Sequence, residues 1–216
     1  MLNAMKFLCT TVAALAILAF GLVDARAAIV YDNTANTGGH VWGKPQEFGD
    51  EVLLAGTERQ VTRLGIWLQC DPAAQIDLVV SLYPGGGTAN PPGVPLWSQA
   101  FANTLITDAV VYFPVPNVTV PDAVTWTVQT GSDLVHARLY DPPSVGASED
   151  YFWWKYEGTW GPWWFGGNPV ANFAATIDAV PEPATLCLLG VGVAGLVIRR
   201  RRRRDWAAGS GRKGFA

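Results

Sequence analysis

Between Ile29 and Ile177 the apolar residues recur with a period of two, and no other feature restricts the fold as much. In "QIDLVVSLY", Ile76, Leu78, Val80 and Leu82 share one face while Asp77 and Ser81 take the other. "AVTWTVQT" alternates Val124, Trp126 and Val128 with Thr125, Thr127 and Gln129, and "VANFAATID" sets Ala171, Phe173, Ala175 and Ile177 on one side. Successive side chains of an extended chain point to opposite faces, so this pattern suits strands with one dry and one wet face. No stretch offers the apolar spacing of an amphipathic helix of three turns. Turn-forming segments separate the runs: "YPGGGTANPPG", "QTGSD", "YDPPSVG" and "FGGNP". Such spacing predicts an all-β protein, an antiparallel β-sandwich or jelly roll of roughly eight to ten strands. The prolines of "YFPVPNVTVPD" put that stretch on an edge strand or an extended crossing segment, because proline has no N–H for a ladder. No internal repeat and no long linker divides the body, which reads as one domain over residues 28–178.

The charges are segregated. Between Ala28 and Val180 stand fifteen carboxylates against five fixed cations, Lys44, Arg59, Arg63, Arg138 and Lys155, a net of −10. An acidic body repels phosphate backbones, which argues against nucleic acid as a partner. Cys9 and Cys187 fall in the two apolar runs near the termini, leaving Cys70 alone in the body. One cysteine makes no internal disulfide, and no Cys/His cluster has zinc spacing, so the body must hold by its core. Cys70 reads as a small buried hydrophobe.

At the front, Lys6 precedes an apolar run from Phe7 to Val23, followed by small residues at Ala25 and Ala27. That is the layout of an export signal over residues 1–27, with cleavage after Ala27 or Ala28. At the back, Ala184 to Ile198 is apolar and uncharged, and Arg199, Arg200, Arg201, Arg202, Arg203 and Arg204 follow without a break. Basic residues beside an apolar helix stay on the cytoplasmic side, which orients the body outward. Some fifteen helical residues rise about 22 Å against a hydrocarbon core of about 30 Å, so the segment is short for a permanent anchor. Pro181 and Pro183 flank Glu182 just before it. Two prolines favour an extended backbone with few competing hydrogen bonds, the form a peptide-cleaving cleft accepts.

These tail features resemble the PEP-CTERM sorting signal of Gram-negative bacteria. On the matching stretch, "VPEPATLCLLGVGVAGLVIRRRRRR", a Pro-Glu-Pro motif, a short transmembrane helix and a basic cluster follow in that order. The resemblance implies that Pro181, Glu182 and Pro183 are the recognition motif and Arg199 to Arg204 the retention cluster, the signal spanning residues 179–204. It implies exosortase, an integral-membrane cysteine transpeptidase, as a partner, in hosts that make exopolysaccharide and biofilm. The extension "DWAAGSGRKGFA", residues 205–216, departs from the pattern, which usually ends at the arginines. The segments "EFGDEVLLAGTERQVTRLGIWLQ", "LYPGGGTANPPGVPLWSQ" and "VPDAVTWTVQT" are similar to exported β-sandwich domains found before such tails. That likeness implies fold and location only. Such tails are sometimes labelled as belonging to ice-binding proteins, but the body has no regular Thr-x-Thr ladder.

Within the body the run "YFWWKYEGTWGPWWFGG" stands out. Trp153, Trp154, Trp160, Trp163 and Trp164 flank a Gly/Pro turn and read as a hairpin. Exposed indoles stack on sugar rings, which makes these tryptophans candidate carbohydrate contacts. Alternate aromatics on a hairpin point opposite ways, so at least half should be core. The neighbouring carboxylates Glu149 and Asp150, and Asp50 and Glu51, include candidate acids and bases for a hydrolase. Adjacent strand positions face apart, so neither pair shares a cleft by itself. A structural calcium near Asp32, Asn33 or Asp50 suits an acidic exported body, although no EF-hand loop or Asp-rich nonapeptide is present. His40 and His136 sit in no nucleophile elbow and no zinc-protease helix motif. "GVGVAG", Gly190 to Gly195, matches G-x-G-x-x-G by letter, but it lies inside an apolar run and not in a βαβ unit.

The sequence therefore predicts an exported, surface or extracellular protein without enzymatic activity or cofactor. It is sorted by its tail, anchored in the membrane transiently or permanently through residues 184–198, and structural or adhesive within exopolysaccharide. A carbohydrate-binding module and a secreted hydrolase are the alternative readings.

Overall fold

Two strands are far longer than any the sequence suggests, and the other strands are arranged around them. In the computed structural model, β4 spans Gln60–Pro84 and β5 spans Trp97–Thr119, 25 and 23 residues. A straight strand of 25 residues would run about 80 Å, against a radius of gyration of about 15 Å for a body of this size, so the hairpin must bend. It does so at Asp71–Gln75, where the pairing jumps from Gln69↔Asp108 to Ala74↔Ile106, and a second irregularity follows between Ile76 and Leu78. Extra residues on one strand of a pair sharpen twist and bending. The structure describes residues 26–35, 39–140 and 142–182, with Gly192.

Among the described residues ten strands, the two of the bent hairpin included, form one hydrogen-bonded, antiparallel sheet. The first half of β4 pairs with β10 (Ala175–Val180), and β10 pairs with β1 (Ala28–Asp32). At the upper end of that half, Leu68–Cys70 pairs with β7 (Val135–Arg138), which also pairs with β2 (Val41–Trp42). The second half of β4 pairs with β6 (Ala123–Thr130), and the sheet continues through β3 (Glu47–Leu53) and β8 (Ala147–Tyr156) to β9 (Thr159–Trp163). The expected all-β antiparallel class is what is found, but its strands are joined as a continuous sheet in which the hairpin belongs to two arms. Among the described residues no helix is long and apolar enough to cross a membrane.

The core lies where the rings of the two arms meet. Phe173, just ahead of β10, packs 5.6 Å from Phe48, 5.2 Å from Phe152 and 6.2 Å from Trp126, ring centre to ring centre. Trp42 approaches Phe48 at 5.2 Å and Phe152 at 4.5 Å. Edge-to-face and tilted pairs at these distances add to the burial of large apolar area. The predicted faces Val124, Trp126, Val128 and Ala171, Phe173, Ala175, Ile177 are buried, as are Leu78, Val80 and Leu82; Ile76 at the bend is only half-buried.

"YFPVPNVTVPD" is at an edge, as expected, since β5 pairs with β4 alone, and Pro114 and Pro116 blunt it against pairing with another chain. The tryptophan-rich run is a hairpin as expected, but its turn falls at Glu157–Gly158, both at positive φ, and Gly161 and Pro162 lie inside β9. Two residues of left-handed backbone match the twist of paired strands, which a turn built on proline would not.

Phe173 touches four aromatic rings, whereas Trp164 stands two-thirds exposed. Phe173→Ala is expected to lower unfolding stability by about 3–5 kcal/mol and Trp164→Ala by less than about 0.5 kcal/mol. Chemical denaturation of the two variants checks this.

Candidate functional site

On the second arm the face turned away from the core is not wet. Thr125 and Thr127, expected on a solvent side, are 1% and 0% exposed. The register explains the burial. Strand pairing aligns Glu47, Gly49 and Glu51 of β3 with Thr125, Thr127 and Gln129 of β6 and with Trp153 and Lys155 of β8. Tyr83, Tyr151 and Trp153 are buried with it. Gly49 is required here, because a Cβ at that position would strike the backbone carbonyl of Trp126.

Two carboxylates are buried on this face, and each is met by donors from neighbouring strands. Glu47 accepts hydrogen bonds from the Tyr83 hydroxyl at 2.7 Å, the Thr127 hydroxyl at 2.8 Å and the Lys155 ammonium at 3.2 Å. Lys155 also lies 5.4 Å from the ring centre of Trp160, a cation–π distance. Glu51 accepts from the Gly87 N–H at 2.8 Å and from the Thr125 hydroxyl and Trp153 indole N–H at 3.4 Å. Gly87 has φ near +67°, the left-handed backbone that lets the loop after β4 turn its N–H onto Glu51. Burial and the adjacent Glu47 push the Tyr83 hydroxyl above its usual range, and burial with Glu51 does the same to Tyr151.

Beside this network Glu51, Leu53, Gly87, Thr88, Glu149 and Tyr151 line a groove of about 370 Å³. Glu51 and Glu149 reach this groove from β3 and β8, where the pairing of the two strands shifts between Asp50 and Val52, and alternation along a single strand does not foretell it. As expected, Asp50 and Glu51 face apart, Asp50 entering the core.

Asp50 is fully buried and accepts from the Phe173 N–H at 3.0 Å; its other close neighbour is the Ser148 hydroxyl oxygen at 3.3 Å, which lies 2.7 Å from the Asn172 amide oxygen and has one proton to share between them. Burial holds its carboxyl well above the usual range, partly offset by these two donors. The calcium considered near Asp32, Asn33 and Asp50 meets side chains already engaged. Asp32 accepts from the backbone and hydroxyl of Thr34, and the Asn33 amide donates to the carbonyls of Tyr140 and Phe173. Among the described residues no group of three or more His, Cys, Asp or Glu side chains is placed to hold a metal ion. His136 lies half-buried on β7, His40 is exposed, and Cys70 is buried and unpaired.

The five candidate tryptophans are divided by the pleat. Trp153 is fully buried on the outward face, against the polar network, and is not free to stack on a ligand. Trp154 is half-buried against Trp42, and Trp160 is half-buried near Tyr83. Trp163 and Trp164 are 45% and 66% exposed beside β9, the last strand of the sheet. The planes of Trp154 and Trp163 meet at 56°, so they do not form one flat platform.

Near the other end of the strand order, β10 stops at Val180, and Pro181 and Glu182 follow exposed and outside any strand. Ala27 and Ala28 are placed, Ala28 opening β1. Ala25 and the rest of the export signal, Pro183, the expected helix over residues 184–198, the arginine cluster and residues 205–216 lie outside the described residues. Comparison with protein families matches residues 179–203 to the PEP-CTERM protein-sorting motif. No curated protein and no solved structure matches the chain. The chain therefore carries this sorting motif, which implies export, membrane-associated sorting at the cell envelope and exosortase as the processing partner.

The sign of the Asp50 effect is fixed by its burial. A carboxyl that burial makes harder to ionise in the fold loses its proton near pH 4 once unfolded, so its contribution is present below that pH and declines as pH rises. Asn at position 50 keeps an acceptor for Phe173 and carries no titrating group. The stability of the native protein relative to Asp50→Asn should therefore fall as pH rises above about 4, measured by urea unfolding at each pH.

Proposed function

We propose that this protein is a non-enzymatic structural or adhesive component of an exopolysaccharide or biofilm matrix, brought to the envelope by its sorting tail. The observation that carries the reading is the sorting motif at residues 179–203, which begins on the last two residues of the last strand. A folded body is thus joined directly to a signal for surface delivery. Before processing, residues 184–198 hold the chain in the membrane with the arginines on the inner side.

The chemistry of the body supports a scaffold over a hydrolase. A general acid or base must reach a substrate, and the buried carboxylates Glu47, Glu51 and Asp50 are engaged by donors from neighbouring strands and backbone. Glu149 reaches the groove from an exposed position, but its companion Glu51 is held by Gly87 and Trp153. Those bonds knit β3, β4, β6 and β8 together, which suits a body that must keep its shape outside the cell.

Carbohydrate binding is the second reading, and the exposed pair Trp163 and Trp164 favours it, with Tyr156 also half-exposed nearby on the hairpin. Both readings are tested in the host. Removing the gene should reduce the polysaccharide held in the matrix, and restoring the full chain should recover it; an unchanged matrix would contradict the structural role. Replacing Trp163 and Trp164 by Ala should weaken binding of the purified protein to the host polysaccharide by about tenfold or more if those indoles stack on sugar. Unchanged binding would remove the second reading.

A further inference from the structure

The first two residues of the sorting motif belong to the sheet and not to the tail. Ala179 is fully buried and pairs with Ala28 on one side and Val61 on the other, and Val180 pairs with Gln60. The strand is pinned just upstream as well. The Asp178 carboxylate accepts from the Arg63 guanidinium at 2.6 Å, and the Thr62 hydroxyl donates to the Asp178 carbonyl at 3.3 Å, where the register of β10 on β4 shifts. Pairing ends at Pro181, which has no N–H to continue the ladder. Sheet gives way to exposed motif across one peptide bond.

A cleaving enzyme holds its substrate extended on both sides of the bond it cuts, using the backbone groups of those residues. Upstream of Pro181 those residues are already paired, Val180 with β4 and Ala179 with both β1 and β4. Resting on the sorting reading above, we propose that β10 sets the upstream limit of tail processing. The bond cut by exosortase lies after Pro181, and the enzyme acts on the closed body without opening the end of the strand. In that step the peptide C–N bond breaks. The acyl half, still joined to the body, passes to the enzyme's cysteine and then to water or an acceptor amine, while the tail leaves with a new amino terminus and the transferred proton. All of β10 stays with the body, so the fold survives loss of the tail.

The same geometry places both ends of the mature chain together. Ala28, where export cleavage after Ala27 would leave the amino terminus, lies directly opposite Ala179. Unpairing upstream of Pro181 would therefore disturb the strand's contacts on both sides, with β1 and with β4.

The test uses the full chain in its own host, with Gln60→Cys and Val180→Cys combined. These are directly opposed positions of an antiparallel pair, within the reach of a disulfide in an oxidising exported compartment. The same variant grown with reductant controls for folding. The cross-linked chain should lose its tail to within about twofold of the native protein, since a strand already closed gains nothing from a staple. The mature chain, native or cross-linked, should retain Pro181 when its carboxyl terminus is read by mass spectrometry. Tail loss in the reduced variant with none in the cross-linked one would show that the enzyme needs β10 open and would overturn the proposal. A native chain ending at Val180 or earlier would overturn it equally. A native chain that keeps Arg199 to Arg204 would remove the sorting reading itself, and this proposal with it.

Discussion

The β4–β5 hairpin is hydrogen-bonded along both arms of the sheet, so the bend at Asp71–Gln75 decides where every other strand can lie. On one side of the bend β4 receives β10 and, through it, β1; on the other it receives β6 and the strands out to β9. The aromatic core follows from this arrangement, since Phe173 belongs to the chain entering β10 while Phe48, Trp126 and Phe152 come from the other arm. No disulfide can substitute for that packing, because Cys70 is the one cysteine among the described residues and it is unpaired. The hairpin and the ring cluster together hold the body.

Much of this was legible in the sequence because burial on one face writes itself as alternation. Leu64, Ile66, Leu68 and Cys70 are buried before the bend, and Leu78, Val80 and Leu82 after it, all in the same phase. That unbroken phase is the sign in the sequence that "LGIWLQC" and "QIDLVVSLY" are one strand, across Pro72 and the small residues between them. The edge position of β5 was legible from its prolines. The polar face was not. Thr125, Thr127, Glu47 and Glu51 are residue types that ordinarily face water, and only cross-strand register shows that they supply one another's hydrogen bonds. The tryptophans were legible as a hairpin with divided faces, but which of them met solvent depended on the order of strands, with β9 last.

The buried carboxylates illustrate how a sheet face is sealed without an apolar side. Glu47 and Glu51 each receive three donors, so their desolvation is compensated locally. Their bonds cross from β3 to β4, β6 and β8 and fix the loop after β4 through Gly87. Of the acidic residues that suggested chemistry in the sequence, Glu51 is one of these joints. The side chains left exposed are instead the indoles of Trp163 and Trp164 and the Glu149 carboxylate in its groove.

The sorting motif meets this body where its last strand ends, with no linker between them. A tail read and removed there leaves the whole sheet intact, whereas a permanent anchor would keep the arginines. The central claim, that the tail is a removable tag on an exported body, is tested most directly by peptide mass mapping of both termini of the native protein recovered from its host. The account predicts a chain that begins near Ala28 and ends within or just after Pro181 to Pro183. A mature chain that still carries Arg199 to Arg204 would contradict it.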